Sequence, residues 1–215
     1  MKLSKLVYQC IKNVVYSDDT SFSYAEFLKG TFNNSADYAT NINNVFAPLN
    51  EAIARLSDLE RIPYRVEACN VVDNIIDLNY CIYPVKEVIS VAQRVYVRFI
   101  KLDHKPFGLD KVYVNDCPPY GYTYIEYKED IPMFDETYYS YAANDEDVVD
   151  LKNYGITDSM CNYIIEYVMG KLYEPISAEV ANMHITRAEQ YFVNIKPTTS
   201  AFAQQTVKTV FMVGE

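Results

Sequence analysis

Chemistry-bearing residues are sparse in this sequence of 215 residues, which holds two histidines, five cysteines and six glycines. His104 sits in a Lys-Pro-flanked turn and reads as a surface residue, whereas His184, between Met183 and Ile185, reads as a packed helical histidine. Neither has a second His or a Cys at metal-ligand spacing. Cys10, Cys69, Cys81, Cys117 and Cys161 form no Cys-x-x-Cys pair and are odd in number. Free buried thiols in a reducing compartment are the economical expectation. The scattered glycines make no phosphate cradle and no dinucleotide fingerprint, and no Gly-x-Ser-x-Gly elbow occurs. Carboxylates are plentiful: Asp18-Asp19, Glu129-Asp130, Asp135-Glu136 and Asp145-Glu146-Asp147 with Asp150. Paired acids serve glycoside hydrolysis or Ca²⁺ binding, yet the run ending at Asp150 lacks the glycine and terminal Glu of a Ca²⁺ loop. Solvated loop charge is the default for such runs. Lys101, His104, Lys105 and Lys111 form the one local basic cluster. No metal, cofactor or catalytic set is expected.

The balance of 29 acidic against 19 basic residues gives a formal net charge of −10. That argues against a general phosphate-binding surface, since nucleic-acid affinity rests on Lys and Arg. It suits a wall that DNA slides past without sticking. The 21 tyrosines, with no tryptophan, suit half-buried, partner-facing positions, and an AT-rich genome would produce the same bias. No apolar run approaches the ~20 residues of a membrane span. The N-terminus has no signal-peptide core, so a soluble, intracellular chain is expected.

The elements follow from periodicity. Leu3, Leu6, Val7, Cys10, Ile11, Val14 and Val15 predict a helix from Lys2 to Tyr16; a short turn is expected from Tyr24 to Leu28. Ile42, Val45, Phe46, Leu49, Ile53, Leu56 and Leu59 predict a second long helix, started or kinked near Pro48, with a surface Glu51–Arg55 pair. From Tyr64 to Tyr127 strands are expected over Val66–Leu78, Val85–Val91, Arg94–Ile100, Lys111–Val114 and Tyr122–Tyr127. Residues 131–153 read as a connector. Two helices joined at Glu174-Pro175 fill 154–196, the second capped by Ser177 with an apolar side of Ile176, Val180, Met183, Ala188, Tyr191, Phe192 and Ile195. The expected architecture is α+β: a helical core from residues 1–63 and 154–196, a small antiparallel sheet or sandwich inserted at 64–130, and an extended tail at 197–215. Within the tail, Thr206, Val207, Val210, Phe211 and Val213 belong to a strand without a local hairpin partner.

The helix from Asp158 to Tyr173 is apolar almost all round, its polar or small line being Asn162, Glu166, Gly170 and Glu174. Such a helix lies either at a domain centre or against a neighbouring subunit. The empty chemical inventory and the lone terminal strand favour the subunit contact. Tyr163, Ile164, Tyr167, Val168, Tyr191 and Phe192 are then its interface residues, with Asn162, Glu166 and Glu174 facing a lumen or a polar seam. The terminal strand would either join the chain's own sheet or add to another subunit.

The order of parts resembles the head–tail adaptor (connector, or ring) proteins of tailed bacteriophages, the short-tailed phages in particular. The likeness lies in Asn43-Asn44-Val45-Phe46-Ala47-Pro48-Leu49-Asn50-Glu51-Ala52-Ile53 through Pro63, in Tyr154-Gly155-Ile156-Thr157-Asp158 with its Ile-Ile-Glu-Tyr-Val helix, and in Met183-His184-Ile185-Thr186-Arg187-Ala188-Glu189-Gln190-Tyr191-Phe192. The Tyr- and Asn-rich style is similar to that of crAss-like phages. The resemblance implies a virion structural protein at the head–tail junction, assembled in the host cytoplasm. It would form a ring, commonly of twelve subunits, that docks beneath the portal and receives the next tail ring or tube. DNA would pass through its channel without specific binding. The alternatives are another tail or baseplate component, or a cell-wall glycan hydrolase acting through Glu129, Asp130 or Asp135.

Overall fold

A computed structural model describes residues 1–30, 36–118, 121–138 and 149–202. The chain is α+β, with five α-helices and two antiparallel sheets among the described residues. The described residues divide into two compact units: Met1–Ile62 with Pro132–Pro197, and Pro63–Ile131 with Thr198–Phe202.

The first unit is helical: α1 (Leu3–Val14), α2 (Tyr24–Leu28), α3 (Ala36–Asp58), α4 (Asp158–Tyr173) and α5 (Ala178–Asn194). Leu3, Leu6, Val7, Cys10 and Ile11 give α1 one fully buried stripe. In α2 the Ser23 hydroxyl caps the first turn by accepting from the Glu26 amide at 3.3 Å. Helix α3 runs through Pro48 without ending there. Thr157 caps α4, and Ser177 caps α5 by accepting from the Val180 amide at 3.4 Å. Helix α4 packs against α5, α3 and α1. That threefold cover explains an apolar surface almost all round. At Gly170 an added Cβ would fall 2.6 Å from Ile185 Cδ1, so a side chain there would displace the Ile185 side chain of α5.

The connector is tied down by Asn50 of α3. Its side-chain amide donates to the Phe134 carbonyl at 2.8 Å, and its oxygen accepts from the Phe134 amide at 2.9 Å. The Phe134 ring is buried edge-on to Tyr138 and Tyr154. Asn50→Ala leaves both backbone groups of Phe134 without these partners, and a loss of about 2–4 kcal/mol is expected in denaturant unfolding. A variant with the wild-type midpoint would refute that role.

The second unit holds β1 (Arg65–Cys69), β2 (Ile75–Asp77), β3 (Val85–Val95), β4 (Arg98–Leu102), β5 (His104–Pro106), β6 (Lys111–Val114) and β7 (Tyr122–Glu129). One sheet has the order β1-β7-β3-β4, the other β2-β6-β5, every pairing antiparallel. Ile76, Val91, Leu102, Val112, Val114, Ile125 and Tyr127 from both sheets share one core, which makes the unit a sandwich. His104, expected in a turn, instead opens strand β5 against β6, and two expected strand boundaries are corrected. The run Val66–Leu78 breaks at a tight turn in which Asp73 and Asn74 both have positive φ. Strand β3 continues past Val91 to Val95, and the run expected as Arg94–Ile100 turns back at Tyr96-Val97.

Candidate assembly surface

Helix α4 is central within its own unit, which corrects the expected subunit interface. Tyr163, Ile164, Tyr167, Val168 and Phe192 are buried by their own chain and have little area left for a neighbour. Tyr163 packs tilted against Tyr167 and Phe192 at centroid distances of 5.9 and 5.3 Å. Burial pushes its phenol pKa up, against an opposing pull from Arg55. The expected Glu51–Arg55 surface pair is replaced by tertiary contacts. Arg55 grips Glu189 of α5 at 2.5 and 3.0 Å, and Glu51 accepts from the Tyr167 hydroxyl at 2.6 Å. Of the named interface residues only Tyr191 is exposed, together with Met183 and Ile176 on the same helix pair. The buried side of α5 is Ala181, His184, Ala188 and Phe192.

One residue of the polar line of α4, Glu166, is also corrected. The middle of that line faces α5, where Glu166 Oε2 lies 2.7 Å from His184 Nδ1 and the imidazole stacks flat on Tyr173. Gly170 continues this contact. Asn162 and Glu174 are exposed, Glu174 pairing with Lys171 at 2.9 Å. Glu166 therefore lies in a seam within one chain. Thr206, Val207, Val210, Phe211 and Val213 lie outside the described residues.

Two of the three acids considered for hydrolysis have other engagements. Glu129 is held by Arg65, with Nε at 2.7 Å, and burial raises its pKa despite that pairing. Asp135 accepts from the Thr137 amide and hydroxyl at 2.9 and 2.6 Å, which lowers its pKa. Asp130 is exposed. The cysteines form no disulfide among the described residues. Burial pushes Cys69 up to about 12 and Cys81 and Cys161 up to about 11, so these thiols stay protonated and are poor nucleophiles. Among the described residues no group of three His, Cys, Asp or Glu side chains is arranged for a metal ion, and no helix is long and apolar enough to cross a membrane. A cleft of about 820 Å³ runs beside β1, lined by Glu67, Cys69, Asp73, Asp77, Tyr80 and Lys111 among others.

Large apolar side chains stand exposed at several places in the β unit, Val72 and Tyr80 among them, and two of these places have braced backbone. At one end the two-residue β3–β4 turn presents Tyr96, 93% exposed, and Val97, 84% exposed. Tyr96 has φ of 55°, a left-handed conformation that costs a residue with a Cβ about 1–2 kcal/mol. Gly or Asn is the usual occupant of such a position. Arg94 and Arg98 flank the tip, and Arg94 Nε donates to the Tyr96 carbonyl at 3.3 Å. Gly121 makes room behind it, since a Cβ there would meet the Arg94 carbonyl at 2.7 Å. Tyr122, paired with Arg94, is exposed beside the tip.

At the other end Ile82, 78% exposed, and the fully exposed Leu109 flank a cleft of about 390 Å³ whose lining includes Leu78, Pro84, Val85 and Asp110. Both lips are braced. The Ile82 amide donates to Glu67 Oε2 at 2.9 Å, while Glu67 Oε1 takes the Tyr127 hydroxyl. Asn79 ties Asp110 to Asp77 at 2.7 and 3.0 Å, and the Leu78 amide donates to the Asp110 carbonyl at 2.8 Å. Periodicity passed over these residues because it looks for apolar positions within elements. The available signal was apolar residues inside turns: Ile82 just before Tyr83-Pro84, and Leu109 between Gly108 and Asp110.

A third feature is Glu126, buried on β7. It accepts from Ser90 Oγ at 2.8 Å, from the Ala201 amide at 2.6 Å and from the Ser200 hydroxyl. Phe202 then packs on Phe99 of β4 at 5.1 Å. The base of the tail is thereby clasped to the β unit. Neither protein-family models nor curated proteins provide a match to this chain.

Proposed function

We propose that this protein is a virion structural component, a ring adaptor between the portal and the tail of a tailed phage that extends the DNA channel. It works by assembly and not by turnover. The observation that carries the reading is the pair of exposed apolar surfaces at separate places on the β unit, each held by braced backbone. Exposed apolar side chains grouped on one surface suit interaction, whereas singly scattered ones are ordinary, and bracing lowers the entropy cost of using a grouped surface. The net charge of −10 suits a channel wall that must not retain DNA. The partners are further copies of the chain in a ring, twelve by the resemblance to head–tail adaptors, with the portal on one side and the next tail ring or tube on the other. No cofactor enters.

Mixing purified protein with portal and imaging by electron microscopy tests the reading: a ring seated on portal is expected. A stable monomer that ignores portal would overturn it. The role of the tail is tested by truncation after Phe202. Residues from Thr198 to Phe202 are kept because Ser200, Ala201 and Phe202 complete the β unit. The truncated chain is expected to keep its fold and its ring and to lose portal binding by at least about tenfold. Full docking without residues 203–215 would end that assignment.

A further inference from the structure

We infer that the subunits join head to tail through the β unit: the Tyr96-Val97 tip of one copy seats in the Ile82–Leu109 cleft of the next. This rests on the ring reading and names the surfaces that would make it. Three observations converge.

The first is placement. Strand β3 runs from Val85, at the cleft, to Val95, at the tip, and its eleven residues span about 30 Å. Two different surfaces so far apart on one unit favour a heterologous contact, which passes from copy to copy and gives a ring where the rotation closes. The second is charge. Arg94 and Arg98 flank the tip, whereas Asp110 is the one charged residue in the cleft lining, with Asp77 linked to it through Asn79 and Glu67 holding the Ile82 amide. Opposite signs steer the tip toward the cleft and disfavour tip against tip. The third is fit and preorganisation. The cleft, about 390 Å³, admits the Tyr96 ring with Val97. Tyr96 holds its left-handed φ where a turn-favouring residue would relieve strain, and tyrosine in such a place serves contact better than it serves the turn.

Two variants and their mixture test the contact. The tip variant carries Tyr96→Gly with Val97→Ser, a pair suited to a two-residue turn whose first position alone has positive φ. The cleft variant carries Ile82→Arg with Leu109→Arg, both at exposed positions. Assembly is read by sedimentation in solution and by microscopy on portal. Wild type is expected to form rings. Each variant alone is expected to stay monomeric with an unchanged circular dichroism spectrum, the tip variant melting no lower than wild type. Mixed one to one, the tip variant keeps a working cleft and the cleft variant a working tip. The mixture should stop at a heterodimer, with association at least about tenfold stronger than in either variant alone. Rings formed by either variant, or a mixture that stays monomeric while wild type forms rings, would overturn the tip-to-cleft contact and leave the ring reading standing. Variants that form rings but no longer bind portal would assign the surfaces to portal and overturn it likewise. Wild type that stays monomeric with and without portal would remove both.

Discussion

Tyr163→Ala is expected to unfold the helical unit instead of loosening an assembly. The side chain is fully buried between Tyr167 and Phe192, beside the Arg55–Glu189 pair that joins α3 to α5. Removing an aromatic ring from such a site costs about 3–5 kcal/mol, the transfer term plus the cavity left behind. Against total stabilities of about 5–15 kcal/mol, that is enough to populate the unfolded state. Denaturant titration of the dilute protein, followed by far-UV circular dichroism, should show the loss at concentrations where no oligomer forms. Tyr191→Ala on the exposed side of α5 should cost under about 1 kcal/mol in the same experiment. A Tyr163 variant with the wild-type midpoint, defective only in assembly, would return the residue to a subunit interface.

That residue also marks where sequence stops informing. The stripe of Leu3, Leu6, Val7, Cys10 and Ile11 is unambiguous because one apolar side needs one cover, and α1 is buried along it. Helix α4 is apolar on several sides, and periodicity says how much cover it needs without saying whose. Three helices of its own chain supply it. Glu51 and Arg55 had four-residue spacing, which is a surface pair by local rules, yet each found a stronger partner across the bundle. The α+β class and the order of helices and strands were legible because they depend on local period and turn chemistry. The Asp73-Asn74 turn was signalled by two residues that tolerate left-handed backbone, although the run around it reads as one strand. The Tyr96-Val97 turn was not signalled at all. Val95-Tyr96-Val97-Arg98-Phe99 alternates as an uninterrupted strand, and the β3–β4 pairing overrides the local preference. The candidate surface was hidden for the same reason: it occupies the positions where local rules are broken.

Glu126→Ala is expected to release the base of the tail and to weaken the β unit together. The carboxylate is almost fully buried and collects the Ser90 hydroxyl, the Ser200 hydroxyl and the Ala201 amide. Alanine removes this shared acceptor from all three donors. At about 1–3 kcal/mol for each buried group left unsatisfied, and with partial relaxation, a net loss of about 3–5 kcal/mol follows. Glu126→Gln should cost less, because its amide oxygen still accepts from Ala201 while its amide nitrogen donates to the serine hydroxyls, which rotate to receive it. The order wild type, Gln, Ala in stability therefore reports hydrogen bonding and not volume alone. Hydrogen exchange at the Ala201 amide gives the local readout. It should be protected in wild type, less so in Gln and exposed in Ala, with protease cleavage near residues 198–202 rising in step. If Ala201 stays protected in Glu126→Ala, the clasp is made by Phe202 against Phe99 instead, and Phe202→Ala should then free the tail. With the tail base loose, residues 203–215 would leave from no fixed point, and portal docking should fall even though every tail residue beyond Phe202 is unchanged.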